Sequence, residues 1–182
     1  MDRYVALLRG INVSGQKIIK MEMLKQIFEQ MKFKNVRTYI QSGNVLLDSP
    51  EADSGKLTKK IESGLEKSLG YDVPVMIRSI SEIEKIIKQN PFQKVKLDDS
   101  LRLYISFLSE EPDDELKKQL LNSADAIATY KIMGREVYTL YKRTKAKHPF
   151  SNNFVEKKLK VKATTRQWNV LKELFDLGSN DK

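Results

Sequence analysis

Apolar positions recur along this chain in two rhythms. Val5-Ala6-Leu7-Leu8 sit in an almost unbroken apolar run from about Tyr4 to Ile11, the pattern of a strand buried on both faces. After a polar loop from Asn12 to Ile19, Met23, Leu24, Ile27, Phe28 and Met31 fall on one stripe and predict a helix over about 20–32. β-branched and aromatic residues from Val36 to Ile40 predict a second strand. Ser42-Gly43-Asn44 reads as its turn and Val45 to Asp48 as the returning strand. Leu57, Ile61, Leu65 and Leu69, at intervals of four, predict a second helix ended by Gly70. Val73 to Ile77 reads as a fourth strand, with Pro74 at its start or on an edge.

That order, β-α-β-β-α-β, is the ferredoxin-like plait, whose two helices pack on one face of a four-stranded antiparallel sheet. The second half repeats it. A connecting helix, 81–89, and the turn Asn90-Pro91-Phe92 lead to Leu101–Leu108, where Leu101, Leu103, Ile105 and Phe107 share one face. A helix is predicted over 112–121, with Pro112 at its first position and Asp113, Asp114 and Glu115 suiting its positive end. Then come a hairpin of 126–132 and 136–141 around Met133-Gly134-Arg135, a helix over 151–159, a short strand over 161–164 and a closing amphipathic helix over 166–177. The expected fold class is therefore α+β: two tandem ferredoxin-like plaits with antiparallel sheets and a C-terminal helix. The first subdomain would span 1–80, a connector 81–100, and the second subdomain with its helix 101–182. No residue-level identity between the halves is visible, so the repeat reads as architectural.

Charge changes this picture. The chain carries a formal +9, and nine basic residues from Lys142 to Arg166 face one acid, Glu156, so +8 of it lies in that segment. Lys142, Arg143, Lys145, Lys147, Lys157, Lys158, Lys160 and Lys162 form a candidate basic surface for an anionic small molecule or nucleic acid, against the plainer reading of a solvated lysine-rich face. There is no cysteine, which excludes disulfides and thiolate chemistry and fits a reducing cytoplasm. No signal peptide and no membrane-spanning run are expected, and a monomer is favoured.

Three polar, glycine-marked segments stand out: Leu7-Leu8-Arg9-Gly10-Ile11-Asn12-Val13-Ser14-Gly15, Thr38-Tyr39-Ile40-Gln41-Ser42-Gly43-Asn44-Val45, and Ala163-Thr164-Thr165-Arg166-Gln167-Trp168-Asn169. In type and order they resemble the bacterial family catalogued as domain of unknown function 1697. The resemblance implies an α+β fold of the kind described and supplies no activity.

The first segment fails as a nucleotide-binding P-loop, because Gln16 stands where the lysine should directly follow the second glycine. A glycine loop near a helix start still offers amides to an anion, which makes Arg9, Gly10, Asn12, Ser14, Gly15 and Lys17 candidate ligand contacts. The alternative is a loop shaped by its own glycines and Asn12. Ser42, Gly43 and Asn44 are candidates on the hairpin, where they equally suit the turn itself. Arg166, read as lying in the first turn of the last helix, would oppose the helix dipole and so invites an anion or carboxylate. Thr164 or Thr165 would cap that helix. Leu103-Tyr104-Ile105-Ser106-Phe107-Leu108 resembles a strand of the RNA-recognition motif, with Tyr104 as a stacking residue, yet 135–141 lacks the matching glycine and aromatics. The one histidine, His148, gives no metal set, and the carboxylates Asp98-Asp99 and Glu110 to Glu115 read as turn and helix-start residues. No metal, no cofactor and no catalytic motif are expected. Three roles stay open: a non-catalytic module for an anionic ligand or nucleic acid, a metal-independent enzyme on a small phosphorylated or anionic substrate, and a structural or protein-interaction module.

Overall fold

The computed structural model describes residues 1–13, 15, 17–145 and 147–180. Among these the elements run β1 (Asp2–Leu8), α1 (Met21–Gln30), β2 (Lys34–Tyr39), β3 (Asn44–Ser49), α2 (Ser54–Leu69), β4 (Val75–Ser79), α3 (Ile80–Lys88), β5 (Leu101–Leu108), α4 (Asp114–Leu121), β6 (Ala128–Met133), β7 (Glu136–Lys142), α5 (Asn152–Leu159), β8 (Ala163–Gln167) and α6 (Trp168–Ser179). The fold is mixed α+β, with two four-stranded antiparallel sheets ordered β2-β3-β1-β4 and β6-β7-β5-β8. The chain divides into two compact units: Met1–Glu84 together with Glu173–Lys182, and Lys85–Lys172.

In the first unit Val5, Ala6, Leu7 and Leu8 are each 1% exposed or less, so β1 is buried on both faces, as its unbroken apolar run dictates. Tyr4, Ala6 and Leu8 join Leu24, Ile27 and Phe28 of α1 and Leu57, Ile61 and Leu65 of α2 in one core. Val5, Leu7, Leu46, Met76 and Arg78 form the opposite face of the sheet, and they are buried too. There α6 comes close through Gly178, where a Cβ would overlap Ile80 and lie 3.4 Å from Leu46 Cδ2. α2 carries both of its end signals. The Asp53 carboxylate accepts from Gly55 N and Lys56 N, and Gly70 closes the helix at φ 78°.

The second unit follows the same plan. Leu108, Ala128, Tyr130, Val137 and Ala163 meet Leu120 of α4 and Val155 and Leu159 of α5. Ile105, Phe107, Tyr138, Thr164 and Arg166 lie on the other face.

Several element ends differ from the sequence expectation, β1 stopping at Leu8 short of Ile11 among them, and three have a clear local cause. α4 starts at Asp114, because Asp113 is extended (φ −60°, ψ 148°), which leaves Pro112 outside the helix. β4 starts after Pro74, which has no N–H for the ladder and whose carbonyl accepts from Arg9 N at 2.9 Å. β8 runs on to Gln167, since its ladder with β5 pairs Leu108 with Ala163 through to Tyr104 with Gln167.

Candidate functional site

The first two polar segments meet at one end of the first sheet, and their polar atoms hold that end together. Asn12, in the left-handed region at φ 52°, donates from Nδ2 to Ile19 O (3.1 Å) and Gln41 O (2.9 Å). Its Oδ1 accepts from Ile19 N at 2.8 Å. Leu8 N donates to Gly43 O at 2.8 Å, and Asn12 N to Lys17 O at 3.1 Å. Asn44, fully buried, donates to Tyr39 O at 2.9 Å and to Ser42 Oγ at 3.0 Å. Gly43 (φ 77°) packs so tightly that a Cβ there would lie 2.9 Å from Leu8 Cβ. Lys17 Nζ donates to Asp72 O at 2.8 Å and lies 4.9 Å above the Tyr71 ring. Arg9 follows β1, half-buried, with its N–H on Pro74 O. Gly10 and Gly15 have left-handed φ and open space where a Cβ would go. Ser14 lies outside the described residues. The amides of Leu8, Arg9, Asn12 and Ile19 are therefore committed to the protein's own acceptors.

Arg166 is not in the first turn of the last helix. It sits in β8 opposite Ile105, and its guanidinium donates to Thr164 Oγ1 (2.7 Å) and Thr165 O (3.0 Å). The threonines are strand residues and do not cap α6. Thr165 Oγ1 bonds Ser106 Oγ (2.8 Å) and donates to Asn152 Oδ1 (3.0 Å). The conflict with the helix dipole disappears, and burial pulls the Arg166 pKa down to about 10, which leaves it charged at neutral pH.

The basic segment separates into two groups. Lys142 pairs with Leu101 and Arg143 N donates to Ser100 O, at the start of β5. Lys162 O accepts from Ser109 N, just past the end of that strand. Eight strand residues at about 3.3 Å each put roughly 25 Å between the two backbones. Lys142, Arg143, Lys145 and Lys147 belong to the first group. Lys157, Lys158 and Lys160 lie at the last turn and C-cap of α5 and join Lys162 in the second. Lys158 is half-buried, with its Nζ 5.6 Å from the Phe154 ring centroid, and the other seven are exposed. Among the described residues none of the eight has a carboxylate within the 4.0 Å of an ion pair.

Tyr104 is no open stacking platform. Its ring packs 5.5 Å from Phe150 and 6.2 Å from Tyr141, on the face that carries α4 and α5. His148 helps to hold the covering loop, pairing through Nε2 with Asp125 Oδ2 at 3.0 Å and accepting from Phe150 N at Nδ1. Among the described residues no group of three or more His, Asp or Glu could hold a metal, and no helix is long and apolar enough to cross a membrane.

The second unit also contains a cleft of about 760 Å3, which the end of the third polar segment, Gln167-Trp168-Asn169, helps to line. It is walled by Asn90 and Phe92 before β5, Arg102 on β5, and Gln167, Trp168 and Lys172 at the β8–α6 junction. Trp168 is a core residue, as its helical spacing implies, at 8% exposure, but it also lines this cleft.

A family model described as Protein of unknown function (DUF1697) matches residues 1–138. The match takes in the first two polar segments and ends before the third. Among solved structures, a conserved bacterial protein, SP0830 from Streptococcus pneumoniae, is similar with a TM-score of 0.75 and 21% identity over 99% of each chain. At that identity the likeness speaks to fold alone. No curated protein matches at a significant level.

Proposed function

Because the chain belongs to the DUF1697 family, whose function is unknown, its role has to come from its own surface, and we propose that it is a non-catalytic module that binds an anionic partner, nucleic acid above all. The observation that carries this reading is the set of eight cations that have no carboxylate partner among the described residues, in a segment whose one acid, Glu156, accepts from Ala163 N at 2.8 Å. Such cations release condensed counterions when they meet phosphates, which is the main source of sequence-independent affinity. In this reading each unit is a ferredoxin-like plait, supported by the shared element order and the matching strand orders. A bacterial, cytoplasmic setting belongs to the same proposal, and the streptococcal neighbour supports its bacterial side.

The test is fluorescence anisotropy with generic single- and double-stranded DNA and RNA at about 50 and about 200 mM salt. The expected result is a Kd of about micromolar at low salt that weakens about tenfold or more at the higher salt. Replacing Lys157, Lys158, Lys160 and Lys162 by glutamate in a still-folded protein should abolish it. Absence of binding at low salt refutes the reading. That result would shift weight to a protein-interaction module, which has one observation of its own. Val13, Ile18 and Ile40 are 57%, 74% and 45% exposed, each one residue from an atom of the Asn12 clamp.

A further inference from the structure

The strand-to-helix joints of the two units occupy equivalent places. Val5 pairs with Arg78 in the first sheet and Ile105 with Arg166 in the second. Ser79 and Gln167 are therefore equivalent: each ends its last strand and runs directly into a helix. In the first unit that helix start is closed by a reciprocal cap. Ser79 Oγ accepts from Glu82 N at 3.1 Å, and Glu82 Oε2 accepts from Ser79 N at 2.7 Å. In the second unit Gln167 and Val170 stand at those positions. No described side chain caps α6, and its first turn holds no acid. The residues that open α6, Trp168 and Asn169, line the cleft together with Gln167 and Lys172, so the uncapped N-terminus of the helix borders it.

The cleft adds an independent observation. Asn90 is only 8% exposed and lines it. Its Oδ1 is taken by Phe92 N at 2.9 Å, while its Nδ2 has no acceptor among the described residues. That amide stays open to solvent at the cleft wall, where it offers a donor to an acceptor belonging to a ligand. The side chains of Arg102 and Lys172, also on the walls, make no hydrogen bond or ion pair among the described residues. Two aspartates also line the cleft: the Asp98 carboxylate is tied back to Ser100 N, Ser100 Oγ and Leu101 N at 2.7, 2.7 and 2.9 Å, while that of Asp99 sets a negative charge on the same wall. Arg143 adds a cation at the rim, with its Nη1 3.5 Å from Asp99 O. Phe92 and Trp168 supply apolar wall that a bare anion would not use.

We propose that this cleft binds a small organic phosphate, with the phosphate held by Arg102, Lys172, Asn90 Nδ2 and the open start of α6, and the organic moiety set against Phe92 and Trp168. The volume suits such a ligand, since small-molecule sites run from roughly 300 to 1,000 Å3. This site is separate from the exposed lysines of α5 proposed for nucleic acid, and either can fail without the other.

Trp168 is the single tryptophan of the chain, so its emission reports on the cleft directly. The full chain is titrated with adenosine monophosphate, ribose 5-phosphate, adenosine and inorganic phosphate, with calorimetry in parallel. Saturable binding is expected for at least one of the two organic phosphates. Adenosine and inorganic phosphate should each bind at least about tenfold more weakly than that ligand. Asn90→Asp keeps the acceptor for Phe92 N and removes the donor, and Arg102→Gln removes a charge from a half-buried position. Each should weaken binding about tenfold or more in a protein that still unfolds cooperatively. The glutamate variants of the α5 lysines should leave the affinity unchanged. Absence of saturable binding by both organic phosphates, binding indifferent to both cleft variants, or inorganic phosphate binding as tightly as either organic phosphate would overturn the proposal.

Discussion

Replacing Asn12 separates a structural clamp from a ligand contact. In the folded protein this one side chain makes three hydrogen bonds, to Ile19 N, Ile19 O and Gln41 O, at 2.8, 3.1 and 2.9 Å. The two to Ile19 are half-buried and the third is exposed. At about 0.5–1.5 kcal/mol net for each, with the exposed one at the low end, their loss costs about 2 kcal/mol. Asn12 also sits at φ 52°, where alanine adds about 1 kcal/mol and glycine adds no such strain. Asn12→Ala should therefore cost about 3 kcal/mol and Asn12→Gly about 2. Asn12→Asp keeps the acceptor for Ile19 N but sets a carboxylate against two carbonyl oxygens, so it should be no milder than glycine. The assay is urea denaturation of the three variants, followed by hydrogen exchange at the Ile19 amide. A cost of about 3 kcal/mol lowers the midpoint by about 1 M or more at typical slopes. The Ile19 amide should exchange faster in all but the aspartate variant. Wild-type midpoint and exchange in Asn12→Ala would refute the clamp and restore Asn12 as a candidate ligand contact.

Gly43→Ala should cost about 2–4 kcal/mol, the sum of a left-handed alanine at φ 77° and a Cβ forced to 2.9 Å from Leu8 Cβ and 2.8 Å from Ile11 Cδ1. An unchanged urea midpoint would contradict that packing. The Asp125 carboxyl is held down to about 2, from an ordinary 3.8, by the N–H groups of Ala128 and Ile127 and by His148. A lowered folded pKa means that its stabilisation is full above about pH 4 and is lost as the pH falls from there towards about 2. The gap in thermal midpoint between wild type and Asp125→Asn should be flat above about pH 5 and shrink across that acid window. A gap that stays constant down to about pH 2 would show that the charge of Asp125 is not what stabilises.

Most elements were legible because burial follows period. Leu101–Leu108 alternates and is a strand over those very residues, and Leu57, Ile61 and Leu65 line the buried face of α2. The misreading of Arg166 has a specific cause. β8 runs straight into α6, as β4 runs into α3, with no glycine, proline or Asx turn between them, so the chain carries no boundary signal there. Thr164 and Thr165 look like helix caps in isolation and become strand residues only because Phe107 and Ser106 lie beside them. The polar loops were legible as candidates, but which partner each side chain would choose was not, since Gln41 O and Ile19 O come to Asn12 from different elements. The cleft left even less trace, because Asn90, Arg102 and Lys172 belong to three separate segments.

The repeat also runs deeper than element order. The registers align Tyr4 with Tyr104, Leu8 with Leu108 and Arg78 with Arg166, identities hidden in the sequence because the offset between equivalent positions changes from the first strand to the last. A buried arginine is expensive to keep, yet both units keep one at the penultimate residue of the last strand. In both, the guanidinium bonds backbone next to it: Arg78 donates to Ile77 O at 2.8 Å and Arg166 to Thr165 O at 3.0 Å. A group retained at the same place in two diverged halves is explained by what the halves share, which is the direct strand-to-helix joint. Ligand chemistry is better sought where the halves differ. The difference begins at the next residue, where Ser79 and Glu82 close one helix start and Gln167 and Val170 leave the other open beside the unmatched Nδ2 of Asn90. The first two polar segments that draw the eye in the sequence hold the scaffold of the first unit, and the end of the third, with Asn90, Arg102 and Lys172, holds the better claim to a ligand.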